Sequence, residues 1–298
     1  MSQSVDDRSI PYRPPGRGRR TFALLAGAPI IPLLIIGLFV LAAIFANFLT
    51  PYSPTQPNLT LRLLPPFWVE GGQLAHPLGT DLLGRDMLTR IMYGARVSLT
   101  VAVAVILVAK TIGVVVGITA GYFGGWVDAA LMRLADATLA FPGILFAIVL
   151  VVALGAGLWN VVLAISLLDW AGTSRVIRGE VLSLKNRDFV AQAKVAGCSP
   201  LRIMAVHLFP NIINTLIVLS TLQVGSVILA EASLSFLGAG VPAPAPAWGQ
   251  MVSGGKAYLT TAWWLAFFPG MAIVLVVLAF NMLGDWLRDV LDPKMRQV

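Results

Sequence analysis

Apolar stretches long enough to cross a bilayer recur along the whole chain. A spanning helix needs about 20 mostly apolar residues, because it rises about 1.5 Å per residue across roughly 30 Å of hydrocarbon. Each stretch is continuously apolar rather than alternating, which predicts helices and not the strands of a barrel. We therefore predict an all-α integral membrane protein with six transmembrane helices, at 24–48, 98–120, 138–156, 158–175, 211–231 and 262–283.

Composition indicates that lipid is the main solvent. Hydrophobic residues make up 57% and charged residues 12% of the 298-residue chain, against roughly 45–50% and about 25% in soluble domains. The apolar stretch at 22–49 is longer than the ~7–15-residue core of a cleavable signal. We expect it to remain as the first transmembrane helix, with a tolerated kink at Pro29 and Pro32.

The basic residues predict which segments face the cytoplasm. With the N-terminus inside, 15 Lys and Arg residues fall in cytoplasmic segments and 5 in outer ones. This is the positive-inside bias of membrane proteins, so both termini are predicted to be cytoplasmic. The same bias accounts for the net charge of +7 without a nucleic-acid partner.

The spans divide the chain into four parts. The outer loop ends in a candidate surface-lying helix at 82–98, and a tight turn at 155–157 joins the third and fourth spans. Gly113, Gly117 and Gly121 favour close contact between helices. The predicted parts are a cytoplasmic tail at 1–21, the first helix with its extracytoplasmic loop at 22–97, a five-helix core at 98–283 that includes a cytoplasmic loop at 176–210, and a cytoplasmic tail at 284–298.

The cytoplasmic loop contains the pattern of a helical hairpin. Asp188 is a suitable N-cap for a short helix that ends at Ala196, and Gly197 stands where a left-handed residue would follow. Ser199 can then cap a second helix, with Pro200 at its preferred first position. We predict that this second helix ends at Pro210, where the fifth span begins.

Small side chains suggest what the hairpin does. Ala191, Ala193 and Ala196 keep the first helix thin enough to lie in a groove on another protein, and Lys194 and Arg202 could meet an acidic rim. The alternative, that the loop is only an ordered connector covering the helix ends, stays open.

This loop resembles the "EAA" loop of ATP-binding-cassette (ABC) importer permeases, in which an alanine-rich helix is followed by a glycine and a later proline. Ala191, Gln192 and Ala193 occupy the three motif positions before Gly197. The acidic residue is absent, as in the dipeptide, oligopeptide and nickel permease branch, and Gln192 departs from the usual alanine. Further blocks that resemble this branch lie at 76–81, 84–86, 121–125, 231–238, 244–249, 268–270 and 291–293.

The resemblance implies a type I ABC importer permease in the bacterial inner membrane. Its implied partners are a second homologous permease, two ATP-hydrolysing subunits and an extracytoplasmic solute-binding protein. Dipeptides, longer peptides, nickel chelates and haem-like ligands all stay open as solutes. The residues implied to couple to the ATPase are Asp188, Phe189, Val190, Ala191, Gln192, Ala193, Lys194, Ala196, Gly197, Ser199, Pro200, Leu201 and Arg202.

The chain itself lacks the signature of an ATP site. A phosphate-binding loop needs Gly six residues before its Lys and Ser or Thr directly after it, and around Lys256 these positions hold Gln250 and Ala257. We expect no bound cofactor and no catalytic residue, with ATP and Mg on partner chains. Cys198 is the only cysteine, and His76 and His207 are predicted on opposite sides of the membrane, so no metal site is expected.

Three ionisable residues fall inside the predicted spans. Lys110, Asp169 and Glu231 would each cost roughly 2.5–3.5 kcal/mol at a helix centre, which makes them candidates for lining the translocation path. Contacts that only settle helix packing are the other interpretation.

Two other functions are weighed against ABC import. A secondary transporter would need no ATPase and would usually have paired repeats or broken helices. An intramembrane hydrolase would need a nucleophile and a base at membrane depth. Ser98, Ser166 and Ser174 are candidate nucleophiles, but no predicted span contains a histidine.

Overall fold

The computed structural model describes residues 28–291, and over that range the chain is built from helices and loops. The predicted tail at 1–21 and the last seven residues of the predicted tail at 284–298 lie outside the described residues. The helices are α1 (Ile30–Leu49), α2 (Met87–Phe123), α3 (Gly125–Leu139), α4 (Gly143–Leu154), α5 (Leu158–Leu184), α6 (Asp188–Val195), α7 (Pro200–Arg202), α8 (Phe209–Phe236), α9 (Trp248–Gly255) and α10 (Trp264–Leu291). A π-helical turn, Ile203–Leu208, joins α7 to α8.

The long apolar helices agree with the predicted class, an all-α integral membrane protein. Within residues 28–291, four helical segments are long and apolar enough to cross a membrane: α1, α2, Pro200–Phe236 and α10. Helices α3 and α4 would add a fifth if they count together, although they are bent by 90°. The predicted fourth span lies within α5, so the count of six stays a prediction.

The prediction of one unbroken helix at 138–156 for the third span is wrong. Helix α3 ends at Leu139 and α4 begins at Gly143, with Pro142 as the residue that precedes it. Proline has no N–H and its ring crowds the carbonyl four residues earlier, so a straight helix through this point is unfavourable. The turn at 155–157 is confirmed, with α4 ending at Leu154 and α5 starting at Leu158.

Two further local expectations are corrected. Pro29 precedes α1 and Pro32 lies in its first turn, where N–H groups lack helical partners anyway, so neither kinks the described helix. The prediction of a separate surface-lying helix at 82–98 is wrong, because residues from Met87 onward belong to α2. Asp86 caps this helix by accepting a hydrogen bond of 2.7 Å from the Thr89 N–H. Helix α2 then runs unbroken for 37 residues. The predicted boundary between parts of the chain at 97 therefore falls inside α2, and the one at 283 falls inside α10.

The core of the molecule is the close contact between α2 and α5. A Cβ on Gly113 would lie 2.7 Å from Thr173 Cβ, one on Gly117 2.7 Å from the Ser174 carbonyl oxygen, and one on Gly121 2.8 Å from Val181 Cγ1. The contacts advance together along both helices, so α2 and α5 run parallel. The predicted role of the three glycines is confirmed, since a larger residue would force the backbones apart.

Gly117→Val tests this contact. We expect it to lower the free energy of unfolding by about 1–3 kcal/mol, because the added side chain would overpack against α5. The measurement is thermal unfolding of the purified chain in detergent. Gly172→Val is the matched control, since Gly172 is exposed and a Cβ there meets nothing within 4 Å. Equal unfolding temperatures for the two variants would contradict the account.

Candidate functional site: the cytoplasmic hairpin and its supports

The predicted hairpin is present between α5 and α8. Gly197 has a φ of +77°, a left-handed conformation that glycine adopts without strain. The Ser199 hydroxyl accepts a hydrogen bond of 3.4 Å from the Arg202 N–H, and Pro200 opens α7 as predicted. Asp188 is the first residue of α6 rather than its N-cap, and Arg187 precedes the helix without a side-chain cap. The Asp188 carboxylate still lies at the positive end of the helix dipole.

The second helix of the hairpin does not end at Pro210, which corrects the prediction. Proline cannot donate to the carbonyl four residues earlier, and the backbone widens into a π-helical turn just before it. There the Phe209 N–H donates to the Met204 carbonyl, five residues back. Pro200–Phe236 is therefore one helical segment, so the hairpin is continuous with a candidate span.

The base of the hairpin packs into the membrane domain. Val190 is fully buried and Ala193 is 7% exposed. They belong to one apolar cluster with residues of α2, α5 and the start of α8. Ala193 therefore faces its own chain, and of the three alanines that were expected to face a groove on another protein only Ala191 and Ala196 are exposed. The other buried members of the cluster are Val114, Ile118, Ile177, Val181, Ile203, Leu208 and Ile212.

The outer face of the hairpin exposes large apolar side chains. Val195 is 91% exposed and Leu201 72% exposed, one on each side of Gly197. We call this pair the apolar tip. Val195 was not among the predicted coupling residues, because the sequence of a short helix does not show which of its sides another helix covers. The polar and small members of the predicted set that are exposed with it are Asp188, Ala191, Gln192, Lys194, Ala196, Gly197, Ser199, Pro200 and Arg202.

Polar contacts hold the helices beneath the hairpin. The Arg178 guanidinium pairs with both carboxylate oxygens of Asp128, and Arg175 pairs with Asp136, which connects α5 to α3. The Lys185 ammonium donates to the Gly121 carbonyl at 2.8 Å. These basic residues were predicted only as a topology signal, and the structure gives them specific partners.

Lys110 connects three helices. Its ammonium donates to Thr173 Oγ1 of α5 at 2.9 Å and to Gln223 Oε1 of α8. Asp169 lies one turn before Thr173 on α5, and its carboxylate lies close to both Gln223 and the Lys110 ammonium. Lys110 and Asp169, predicted separately from the sequence, are thus brought together through Gln223. Gln223 itself was missed, because an uncharged polar residue in a span gives no strong sequence signal.

Glu231 is enclosed between α2 and α8. Its carboxylate has no exposed surface and accepts hydrogen bonds from Ser98 at 3.1 Å and Ser235 at 2.7 Å. Through the Ser98 hydrogen bond it links α8 to α2. Ser98, one of the three candidate nucleophiles, donates its hydroxyl hydrogen to this carboxylate.

The blocks at 76–81 and 84–86, which resemble the permease family, form an ordered network whose individual contacts were not predicted. Asp81 accepts hydrogen bonds from the N–H groups of Leu83 and Arg85 and from the Arg85 side chain. His76 Nδ1 lies 3.0 Å from Asp86 Oδ1, directly above the start of α2. His76 therefore has a structural partner outside the predicted spans.

Known proteins resemble the chain over most of its length. Residues 113–297 match the family described as "Binding-protein-dependent transport system inner membrane component". The chain belongs to this family. It is accordingly an inner-membrane protein, as the sequence motifs predicted.

Relatives and a solved structure agree with this assignment. The "Di/tripeptide transport system permease protein DppC" of Pseudomonas aeruginosa (strain UCBPP-PA14) is 42% identical over 264 residues, 89% of this chain and 87% of that protein. The "Dipeptide transport system permease protein DppC" of Escherichia coli (strain K12) is 45% identical over 301 residues, 100% of both chains. A chain of the inward-facing MetNI methionine ABC transporter matches with a TM-score of 0.56 at 16% identity, over 68% of this chain and 97% of that chain. The shared fold is that of an ABC importer permease.

Lys110→Met tests the contact between the three helices. We expect it to lower the free energy of unfolding by about 1–3 kcal/mol, because buried Thr173 and half-buried Gln223 would lose their shared charged donor. Thermal unfolding of the purified chain measures the effect.

The control is Thr111→Val, whose hydroxyl is exposed and bonds only to Leu107 in its own helix. If Lys110→Met unfolded at the same temperature as Thr111→Val, Lys110 would not be holding the three helices.

Proposed function

We propose that this chain is a permease subunit of an ABC importer that moves dipeptides or similar small peptides into the cytoplasm. Its family membership and the peptide transport named for its relatives support the substrate class. The likeness in fold to a solved importer chain supports the transport mode. Oligopeptides, nickel chelates and haem-like ligands are the competing solutes.

The apolar tip is the observation that carries the coupling role. An exposed pair such as Val195 and Leu201 is unfavourable in water, and burying each in a groove would gain about 1.5–3 kcal/mol. An ATPase subunit with an apolar groove is the partner we assign to it. Residues 188–202 then form the docking element, with Lys194 and Arg202 at its polar edge.

The hairpin can transmit movement because its base is packed and its second helix continues into α8. When the ATPase dimer closes, the tip would move with it. The Val190 and Ala193 cluster would carry α2 and α5 along as one body. This produces a rigid-body alternation between inward-open and outward-open states.

The remaining partners follow from this role. A second homologous permease completes the translocation path, two ATPase subunits bind ATP and Mg, and an extracytoplasmic solute-binding protein delivers the peptide. This chain forms no covalent bond with the solute. Lys110 is buried and Asp169 half-buried, so they would influence the path by holding its walls in position.

Val195→Asp and Leu201→Asp test the docking role. Both side chains are exposed in this chain, so the substitutions should leave its fold intact while placing a charge in the apolar groove of the ATPase. We expect solute-stimulated ATP hydrolysis and dipeptide uptake in liposomes to fall about tenfold or more, equivalent to ~1.4 kcal/mol or more.

Asn186→Asp is the control, since it adds the same charge to an exposed position before α6. Unchanged hydrolysis and uptake in both tip variants would rule out docking through the tip. Uptake by the chain with no ATPase subunit present would favour the secondary transporter instead.

A further inference from the structure

A polar cavity of 490 Å³ lies among α5, α8 and α10, at the same end of these helices as the hairpin. Glu180 of α5 and Arg288 of α10 both line it, and α8 contributes polar side chains and an apolar surface. None of these residues was singled out as a site from the sequence. The residues that bear on its chemistry are Glu180, Asn211, Asn214, Thr215, Leu222 and Arg288.

Glu180 has an unusual environment in this cavity. Its Oε2 is shielded from solvent and has no hydrogen-bond partner among residues 28–291. Burial raises the pKa of the Glu180 carboxyl, and a hydrogen bond with Thr215 opposes that rise. Glu180 as a residue lines the cavity and is paired with no Lys or Arg among residues 28–291, so its carboxylate would favour a cationic or N–H donor that enters the cavity.

Arg288 supplies the opposite charge. Within the described chain it forms no ion pair with Glu180, although both line the same cavity. Arginine binds carboxylates through two parallel N–H donors. Asn211 and Asn214 offer amide donors and acceptors, and Leu222 adds an apolar contact.

A carboxylate, a guanidinium and two amides in one cavity are the groups that would recognise a small zwitterion with a peptide bond. We propose that this cavity is a release-side binding site for a dipeptide, with the α-ammonium group at Glu180 and the α-carboxylate at Arg288. The asparagine side chains would face the peptide bond, and Leu222 a peptide side chain. This inference rests on the proposed peptide transport and extends it by naming a subsite in this chain and the end groups that it recognises.

The experiment measures binding of dialanine to the detergent-purified complex of this chain with its partner subunits, without the solute-binding protein, by calorimetry. N-acetyl-dialanine and dialanine amide are the paired probes, since each lacks one charged end. We expect each to bind at least about tenfold more weakly than dialanine. Glu180→Gln should abolish the discrimination against the acetylated probe only, and Arg288→Gln the discrimination against the amide only.

Glu70→Gln is the matched control for loss of a carboxylate, because Glu70 is exposed in the outer loop. It should bind all three probes as the wild type does. Equal affinity of the wild type for the three probes would overturn the proposal, as would unchanged discrimination in Glu180→Gln. Loss of a partner subunit from the Glu180→Gln complex would also overturn it, because Glu180 would then bind a cation of that subunit.

Uptake of dialanine by the wild-type complex in liposomes, with the solute-binding protein present, separates this inference from the proposed function. Uptake without charge-dependent binding in the cavity would reject the release-side site alone. Absence of both uptake and binding would reject dipeptide transport itself.

Discussion

The close packing of α2 against α5, with α6 resting on the end of that pair, is the interaction on which the rest of this structure depends. Val190 and Ala193 are buried where four helical segments meet, and the glycines of α2 bring that helix close enough to α5 for the same cluster to be shared. The hairpin is therefore a part of the membrane domain and not a loop attached to it. Under the proposed coupling, a force applied at its tip would reach several helices at once.

Polar residues inside the bundle also hold its helices together. Lys110 reaches both α5 and α8, and Glu231 joins α8 to α2 through Ser98. Hydrocarbon offers no hydrogen-bonding alternative to such groups, so each one strongly favours the helix arrangement that satisfies it. The ionisable residues of the spans thus define how the helices sit against each other.

Several features could be predicted from the sequence because they depend on local chemistry. The apolar stretches, the glycine spacing, the left-handed Gly197 and the Ser199–Pro200 start are readable from neighbouring residues. The break at Pro142 and the Asp86 cap of α2 are local signals too, but a proline or a capping residue does not by itself decide where a helix ends, as the continuation past Pro210 shows. The exposed Val195 and the bridging Gln223 depend on which face another helix covers, and no local pattern records that.

The most direct test of the central claim is a crosslinking measurement at the apolar tip. In a Cys198→Ser background, Val195→Cys and Leu201→Cys would each carry a photoactivatable thiol reagent, and Leu74→Cys in the outer loop would serve as the control. The account predicts crosslinks from both tip positions to the ATPase subunit and none from position 74. Tip positions that crosslink only to lipid or to this chain, in a complex that hydrolyses ATP in response to solute, would contradict it.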